Sequence, residues 1–272
     1  MGMVETRAVA QAGYHTVMAC YCPKKAQEKC LQLRQETANP NIEVIGIDLA
    51  NLRTVREFAD IIRKRFGRVD LLMNNAGTLE TGRHYTVDGL ERTVSVNYVG
   101  PYLLTRLLLP LMPEGTRIVN MASCVHPLGR LDFPYFFEQG CRGWFVRFRP
   151  YSNSKLAIIL FTMELARRVR DRGITANAVD PGIVDTGIIR LQMFFDPITD
   201  LVFRPVIRTP QQGADTAVHL LLDDGVEGQT GNFYRSRHIV DLGTKYTQHP
   251  KMQELWKRTE DIVSPFMEEM ST

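Results

Sequence analysis

Val69-Asp-Leu-Leu-Met-Asn-Asn-Ala-Gly77 is the stretch whose reading decides the fold. A short apolar run ends in two asparagines, an alanine and a glycine, which reads as a buried strand emptying into a tight turn. Upstream, Leu52, Val55, Phe58, Ile62 and Phe66 recur at helical spacing. Downstream, Val87 to Met112 reads as a long helical region. A strand held between two amphipathic helices is one step of a βαβ alternation, and the same rhythm continues in both directions.

Toward the N-terminus, Val4 to Ala12 reads as a helix ending at Gly13, Tyr14 to Cys20 as a strand, Pro23 to Thr37 as a helix with Pro in its first turn, and Ile42 to Ile47 as a strand. Toward the C-terminus come a strand at Thr116 to Met121, a helix at Pro150 to Arg172, a strand at Ile174 to Val179, a helix at Pro210 to Leu222 and a short strand at Asn232 to Tyr234. Apolar strands alternating with amphipathic helices predict an α/β fold: a doubly wound, Rossmann-like parallel sheet in three αβα layers. Two insertions break the rhythm, at about 124–149, with seven aromatic residues from Phe133 to Phe148, and at about 183–209, rich in Ile, Leu, Met and Phe. Both follow strand ends, where ligands sit in open α/β sheets, so both are expected to cover a substrate. No linker or internal repeat interrupts residues 1–272, which read as one domain.

Bulk composition narrows the function classes. The 272 residues are 44% hydrophobic and 23% charged, ordinary for a globular chain. A balance of 33 basic to 30 acidic residues gives +3, which supports neither nucleic-acid nor anionic-membrane binding. The five cysteines form neither a CxxC pair nor a metal-like array with histidines, so they read as free thiols of a reducing compartment, and no metal is expected. No apolar run reaches the roughly 18 residues that span a bilayer. A cytoplasmic location is the expectation.

The chemistry gathers at strand ends and on one helix. In Tyr151-Ser-Asn-Ser-Lys155 the tyrosine and lysine are four apart and share a helix face. A phenol is a poor base near neutrality, but an adjacent ammonium favours its ionised form and would fit it to exchange a proton with an alcohol or ketone oxygen. Ser123 lies just past a strand end, Asn97 sits inside a helical stretch where it suggests a bend or a polar task, and Asp180-Pro-Gly-Ile-Val-Asp-Thr186 forms another strand-end turn.

With these motifs in this order, the chain resembles the short-chain dehydrogenase/reductase family from Val4 to about Tyr234. The resemblance implies Tyr151 as acid/base, Lys155 on the nicotinamide ribose and lowering the tyrosine pKa, Ser123 orienting substrate, and Asn97 holding a proton-relay water. It implies cofactor contacts from Asp48 and Leu49 near the adenine, from Asn75, Ala76 and Gly77, and from Pro181, Gly182, Ile183 and Thr186 near the nicotinamide. Val-Met-Ala-Cys20, Gly-Arg-Leu-Asp-Phe133 and Gly231-Asn-Phe-Tyr234 look like the retinol dehydrogenase and WW-domain oxidoreductase branch. A homodimer or homotetramer and a hydrophobic small-molecule substrate, a lipid-, retinoid- or steroid-like alcohol, are implied with it.

Two departures from the family pattern set further expectations. The family carries Thr-Gly-x-x-x-Gly-x-Gly between its first strand and first helix, whereas here Val4-Glu-Thr-Arg-Ala-Val-Ala10 matches the start of that helix and Gly2 is the only trace of the loop. Because the family places that strand in the middle of its sheet, a gap of about 10 Å between two strands is expected, and with it an alternative reading as a truncated, cofactor-deficient or non-enzymatic relative. At the end of the second strand, Cys20-Tyr-Cys-Pro-Lys-Lys25 has no carboxylate for a ribose 2′-OH, while Lys24 or Lys25 would suit a 2′-phosphate. NADP is therefore the expected cofactor, with NAD the alternative.

Overall fold

The computed structural model describes residues 1–80, 82, 84–133, 135–138, 148–184 and 207–268. The chain opens with helix α1 (Gly2–Gln11), followed by β1 (Thr16–Cys20), α2 (Pro23–Thr37), β2 (Ile42–Gly46), α3 (Leu52–Arg65) and β3 (Leu71–Asn74). A short α4 (Arg92–Val94) runs through a π turn, Ser95–Val99, into α5 (Gly100–Leu108). Then come β4 (Arg117–Met121), α6 (Tyr135–Glu138), α7 (Phe148–Arg168), β5 (Thr175–Asp180) and α8 (Pro210–Leu222). The chain closes with β6 (Phe233–Arg235), β7 (His238–Ile239), α9 (Thr244–Thr247) and α10 (Met252–Met267).

The α/β reading holds, with parallel strands between helical layers. The strands do not form one sheet, however. β1 pairs with β2 in a two-stranded parallel sheet, and β3-β4-β5-β6-β7 form a second, parallel except for the terminal β6–β7 pair. A cavity of about 730 Å³ lies between them, lined by Thr16 to Cys20 on β1 and Leu71 to Asn74 on β3. Helices join the two parts. α1 packs on α8 as well as on β1, and α3 packs on α5 and α10. The main core accordingly runs across both parts on one face, from Ile45 and Ile47 through Leu52, Val55 and Phe58 to Tyr98, Tyr102 and Phe161.

Several boundaries shift for local reasons. The helix expected from Val87 begins only at Arg92, because Gly89 takes φ +77° in a turn and the Glu91 side chain caps Val94 N–H. The helix expected to reach Arg172 ends at Arg168 and is followed by a single 3₁₀ turn at Arg170–Arg172. Beyond Tyr234 the sequence reading named no element, yet α10 buries Leu255, Trp256, Thr259 and Val263 against α7, α3 and α5. Among the described residues no helix is long and apolar enough to cross a membrane.

Glu5, on the face of α1 that borders the cavity, is 4% exposed, and its Oε1 has no hydrogen-bond partner. Burial raises its carboxyl from 4.5 to about 7, against a smaller opposing pull from the chain's amino terminus. The fold therefore favours the protonated acid. Its contribution to stability is intact below pH 4.5 and is lost as pH rises toward about 7. Glu5→Gln is expected to raise unfolding free energy by about 3 kcal/mol at pH 8 and by little at pH 4. Urea titration at both pH values checks this, and an equal gain at both would contradict it.

Candidate active site

Helix α7 carries the pair that opened the chemical reading. Gly129 lets this helix come close: a Cβ there would stand 2.5 Å from the Ser152 carbonyl oxygen and 2.7 Å from Leu156 Cβ. The Arg130 N–H donates to Asn153 Oδ1 at 2.7 Å, tying the same loop to the helix start. Lys155 is 3% exposed, and its Nζ donates to the Met121 carbonyl at the end of β4 at 2.8 Å. Burial lowers its pKa to about 8, and the Asp180 carboxylate opposes that fall, so the ammonium persists at neutrality. The same Nζ lies 5.5 Å from the Tyr151 ring centroid.

Just beyond β4, Ser123 hydrogen-bonds the Tyr151 hydroxyl. Burial nevertheless pushes the Tyr151 phenol above its ordinary value, and only the Ser123 bond works against that. The expected lowering by Lys155 is therefore not the balance found, since burial outweighs it. The ammonium points at a carbonyl and the phenol remains a neutral proton donor. Asn97 sits in the π turn, where the extra residue per turn breaks the α ladder, as such turns do at functional sites. Its Oδ1 accepts from Thr78 N–H at 2.7 Å; its Nδ2 reaches the Thr78 carbonyl at 2.9 Å and Ser154 Oγ on α7 at 3.1 Å. Asn97 thus binds the turn after β3 to the catalytic helix, which accounts for a polar residue in a helical stretch.

The residues expected to hold a dinucleotide fall along one edge. Asp48 closes its own turn, its Oδ1 accepting from Ala50 N–H at 2.9 Å. The Leu49 carbonyl accepts from Ser95 Oγ at 3.2 Å and lies against Gly100, where a Cβ would stand 2.7 Å from it. Asp48, Leu49, Asn75, Ala76 and Gly77 all border the 730 Å³ cavity. Asn75 Oδ1 is buried without a partner, and Gly77 leaves space beside Asn97 Oδ1 and Lys155 Nζ, 3.5 and 3.7 Å from where its Cβ would be. Pro181 is buried and Gly182 takes φ +77°, with Ile183 following and accepting from Arg208 N–H at 2.7 Å. Thr186, with the rest of 185–206 in the second insertion and residues 134 and 139–147 of the first, lies outside the described residues.

Three arrangements escaped the sequence reading. Asp180, noted only as part of a turn, is fully buried at the end of β5, and Arg235 on β6 grips it with Nε at 2.9 Å and Nη2 at 2.8 Å. Its field reaches Lys155, Tyr151, Cys124 and His126. His126 is buried, shares a 2.8 Å hydrogen bond with Tyr246, and has its pKa lowered by burial to about 4, so it is neutral at physiological pH. Asn74 Nδ2 bonds Asn120 Oδ1 at 2.7 Å and Thr105 Oγ1 at 3.0 Å, while Asn120 bonds Thr162 at 2.9 Å. That chain of amides pins β3 and β4 to α5 and α7 beneath the site. The residues involved lie from 31 to 55 positions apart for most of these contacts, and no local pattern announces them.

Comparison with known proteins agrees with this geometry. The family model for short chain dehydrogenases matches residues 1–134 and 139–192. Human retinol dehydrogenase 11 is 33% identical over 270 residues, spanning 97% of this chain and 82% of that protein. Mouse retinol dehydrogenase 14 is 34% identical over 279 residues, with the same shares. Among solved structures, a protein of uncharacterised function from Mycobacterium paratuberculosis superposes with a TM-score of 0.77 at 26% identity, covering 97% of this chain and 90% of that one. A blue fluorescent protein from a metagenomic library, solved in complex with NADPH, gives 0.67 at 27% identity over 85% of this chain and 90% of that one. A tyrosine–lysine helix facing a strand-end serine and a π-turn asparagine, on a parallel sheet with this family match, places the chain in the short-chain dehydrogenase family of NAD(P)-dependent oxidoreductases.

Proposed function

We propose that the protein interconverts an alcohol and a carbonyl on an apolar small molecule, with NADP as the cofactor in preference to NAD. The observation that carries this reading is the meeting of Lys155 and Asn97 beside Gly77, with Tyr151 set next to Lys155 and to Ser123. Tyr151 donates its phenolic proton to the carbonyl oxygen in reduction and takes it back in oxidation. Ser123, already bonded to that hydroxyl, holds the reacting oxygen beside it. Lys155 keeps a positive charge within reach of the phenol, and Asn97 fixes the turn that presents Gly77. The orphaned Asn75 Oδ1 and the open cradle at Gly77 suit a dinucleotide, with Asp48 and Leu49 toward its adenine end and Pro181, Gly182 and Ile183 toward its nicotinamide end. NADP, when bound, supplies or accepts the hydride.

The apolar class rests on the Phe and Leu content of the two insertions and on relatives whose names specify retinol. The 2′-phosphate preference rests on Lys24 and Lys25, both exposed at the start of α2. One observation favours a second reading, a scaffold that holds cofactor poorly. Of the α1 residues that border the cavity, Gly2, Met3, Glu5, Thr6 and Val9, only Gly2 is a glycine, where a glycine loop would meet the pyrophosphate. Fluorescence titration of the 272-residue chain with NADPH and NADH, followed by turnover of a long-chain and a short-chain aldehyde, separates the two. Saturable binding, tighter for NADPH, with faster turnover of the long aldehyde is expected. Absence of saturable binding would leave only the second reading.

A further inference from the structure

The buried carboxylate of Asp180 lies on the same face of the sheet as the reacting groups. Along β5, Ala176 and Ala178 belong to the core shared with α7, and Val179 to the core shared with α8. By the two-residue alternation of a strand, Asp180 therefore faces α7, the helix that carries Tyr151 and Lys155. Arg235 follows the same rule on β6, after Phe233 on the α7 side and Tyr234 on the α8 side, and stands opposite Asp180 in the register. Ala122 N–H donates to Val179 O at 2.8 Å, which brings the chain at Ala122 and Ser123 alongside Asp180.

The two partners of the ion pair meet different surroundings. Asp180 has no exposed surface, whereas the Arg235 side chain is 44% exposed. Water screens the guanidinium and not the carboxylate, so the pair presents a net negative field to the interior. Among the described residues, that field meets Tyr151 and Lys155 from α7 and Cys124 and His126 from the loop after β4. Lys245 of α9 acts on His126, and Arg208 reaches the Pro181 carbonyl beside Asp180 at 3.3 Å. Burial is the first influence on all four titrating side chains. Beyond it, the carboxylate disfavours the anionic forms of Tyr151 and Cys124 and favours the cationic forms of Lys155 and His126. Arg235 counters it at Cys124 and His126. His126, with its pKa near 4, is neutral wherever a phenol titrates, which leaves the Cys124 thiol as the group to control for.

We propose that Asp180, seated by Arg235, is a positioning residue for proton transfer: its carboxylate holds the proton on Tyr151 and so sets the pH at which the site turns from donating a proton to accepting one. The inference rests on the acid/base role given to Tyr151 above and adds the group that tunes it. Reduction needs the phenol and oxidation needs the phenolate. Removing the negative charge therefore lowers the alkaline limit of reduction and extends oxidation toward neutrality.

The test follows Tyr151 by carbon-13 NMR in the 272-residue chain labelled at tyrosine Cζ, its resonance identified by loss in Tyr151→Phe. Asp180→Asn deletes the charge while keeping an acceptor for Arg235 and the Gly182 N–H. Ionisation of Tyr151 is expected about one pH unit lower than in the parent, and the alkaline limb of NADPH-dependent aldehyde reduction should fall by the same amount. Titrating both chains on a Cys124→Ser background takes the thiol out of the comparison. If the urea midpoint of Asp180→Asn drops, the double variant Asp180→Asn/Arg235→Gln, whose two amides can still bond each other, replaces it with the same expected shift. A Tyr151 titration that stays in place or rises would overturn the proposal, as would one that falls while the reduction limb does not move. Parental turnover in Tyr151→Phe would remove the acid/base reading and the proposal with it, and an intact titration difference would tell that failure from absence of the Asp180 field. Where the chain reduces no aldehyde, the titration alone decides.

Discussion

Tyr151→Phe is expected to lower turnover by about 10²- to 10⁴-fold, the range spanned by loss of a positioned proton donor. The substitution removes one oxygen from a side chain whose ring stays packed beside Lys155, so the helix and the cavity wall remain as they are. Because the phenol is held neutral by burial and bonded to Ser123, its deletion costs the reaction its proton and costs the ground state one hydrogen bond. Affinity for NADPH should consequently stay within about twofold while the catalytic constant collapses. Stopped-flow turnover with parallel fluorescence titration measures both. Residual turnover near the parent level would take Tyr151 out of the acid/base role. A parallel loss of cofactor affinity would show that the ring, not the proton, was the missing element.

Arg235→Met should be the most damaging substitution outside the reacting groups. Asp180 has no exposed surface and depends on Arg235 for its compensating charge, with Gly182 N–H supplying a further bond at 2.9 Å. Stranding a buried carboxylate costs about 3–5 kcal/mol, and the lower end applies because the Arg235 side chain is 44% exposed and partly screened. Urea denaturation should show an earlier midpoint at unchanged slope. Adding Asp180→Asn to the same chain should return part of the loss, because the stranded charge is gone. A single-variant cost below about 1 kcal/mol would mean that the ion pair is not what keeps Asp180 charged in the interior.

These two sites differ in how far the sequence announced them. The places of Tyr151, Lys155, Ser123 and Asn97 in the fold were legible because each sits at a position that local pattern marks: a helix face, a strand end and a polar break in an apolar helix. The alternation of strands and helices was legible for the same reason, since each strand is short, apolar and bounded by turn residues. Arg235 was not legible, because its partner lies 55 positions away and nothing in Phe-Tyr-Arg235 marks the arginine as the partner of a buried carboxylate. His126 and Tyr246 are 120 positions apart, and α10 interleaves its apolar residues with five charged ones and a proline, which masked its buried stripe. The separation of β1 and β2 from the other strands was legible in the pattern, but only coordinates reveal that α1 and α3 pack across it.

That division also bears on how the molecule opens. β1, α2 and β2 form a unit whose own small core is Ala10, Cys30, Leu33 and Ile42, while the larger clusters belong to or extend from the five-stranded part. Among the described residues no backbone ladder couples the two, so cooperativity between them passes through the packing of α1 and α3 and through contacts such as the Ser95 hydroxyl on the Leu49 carbonyl. Regions linked in this way open as separate units of different free energy, and the smaller one opens first. Heat or denaturant would then trace two overlapping transitions, and the turn at Asp48 and Leu49 would loosen before helix α7 does.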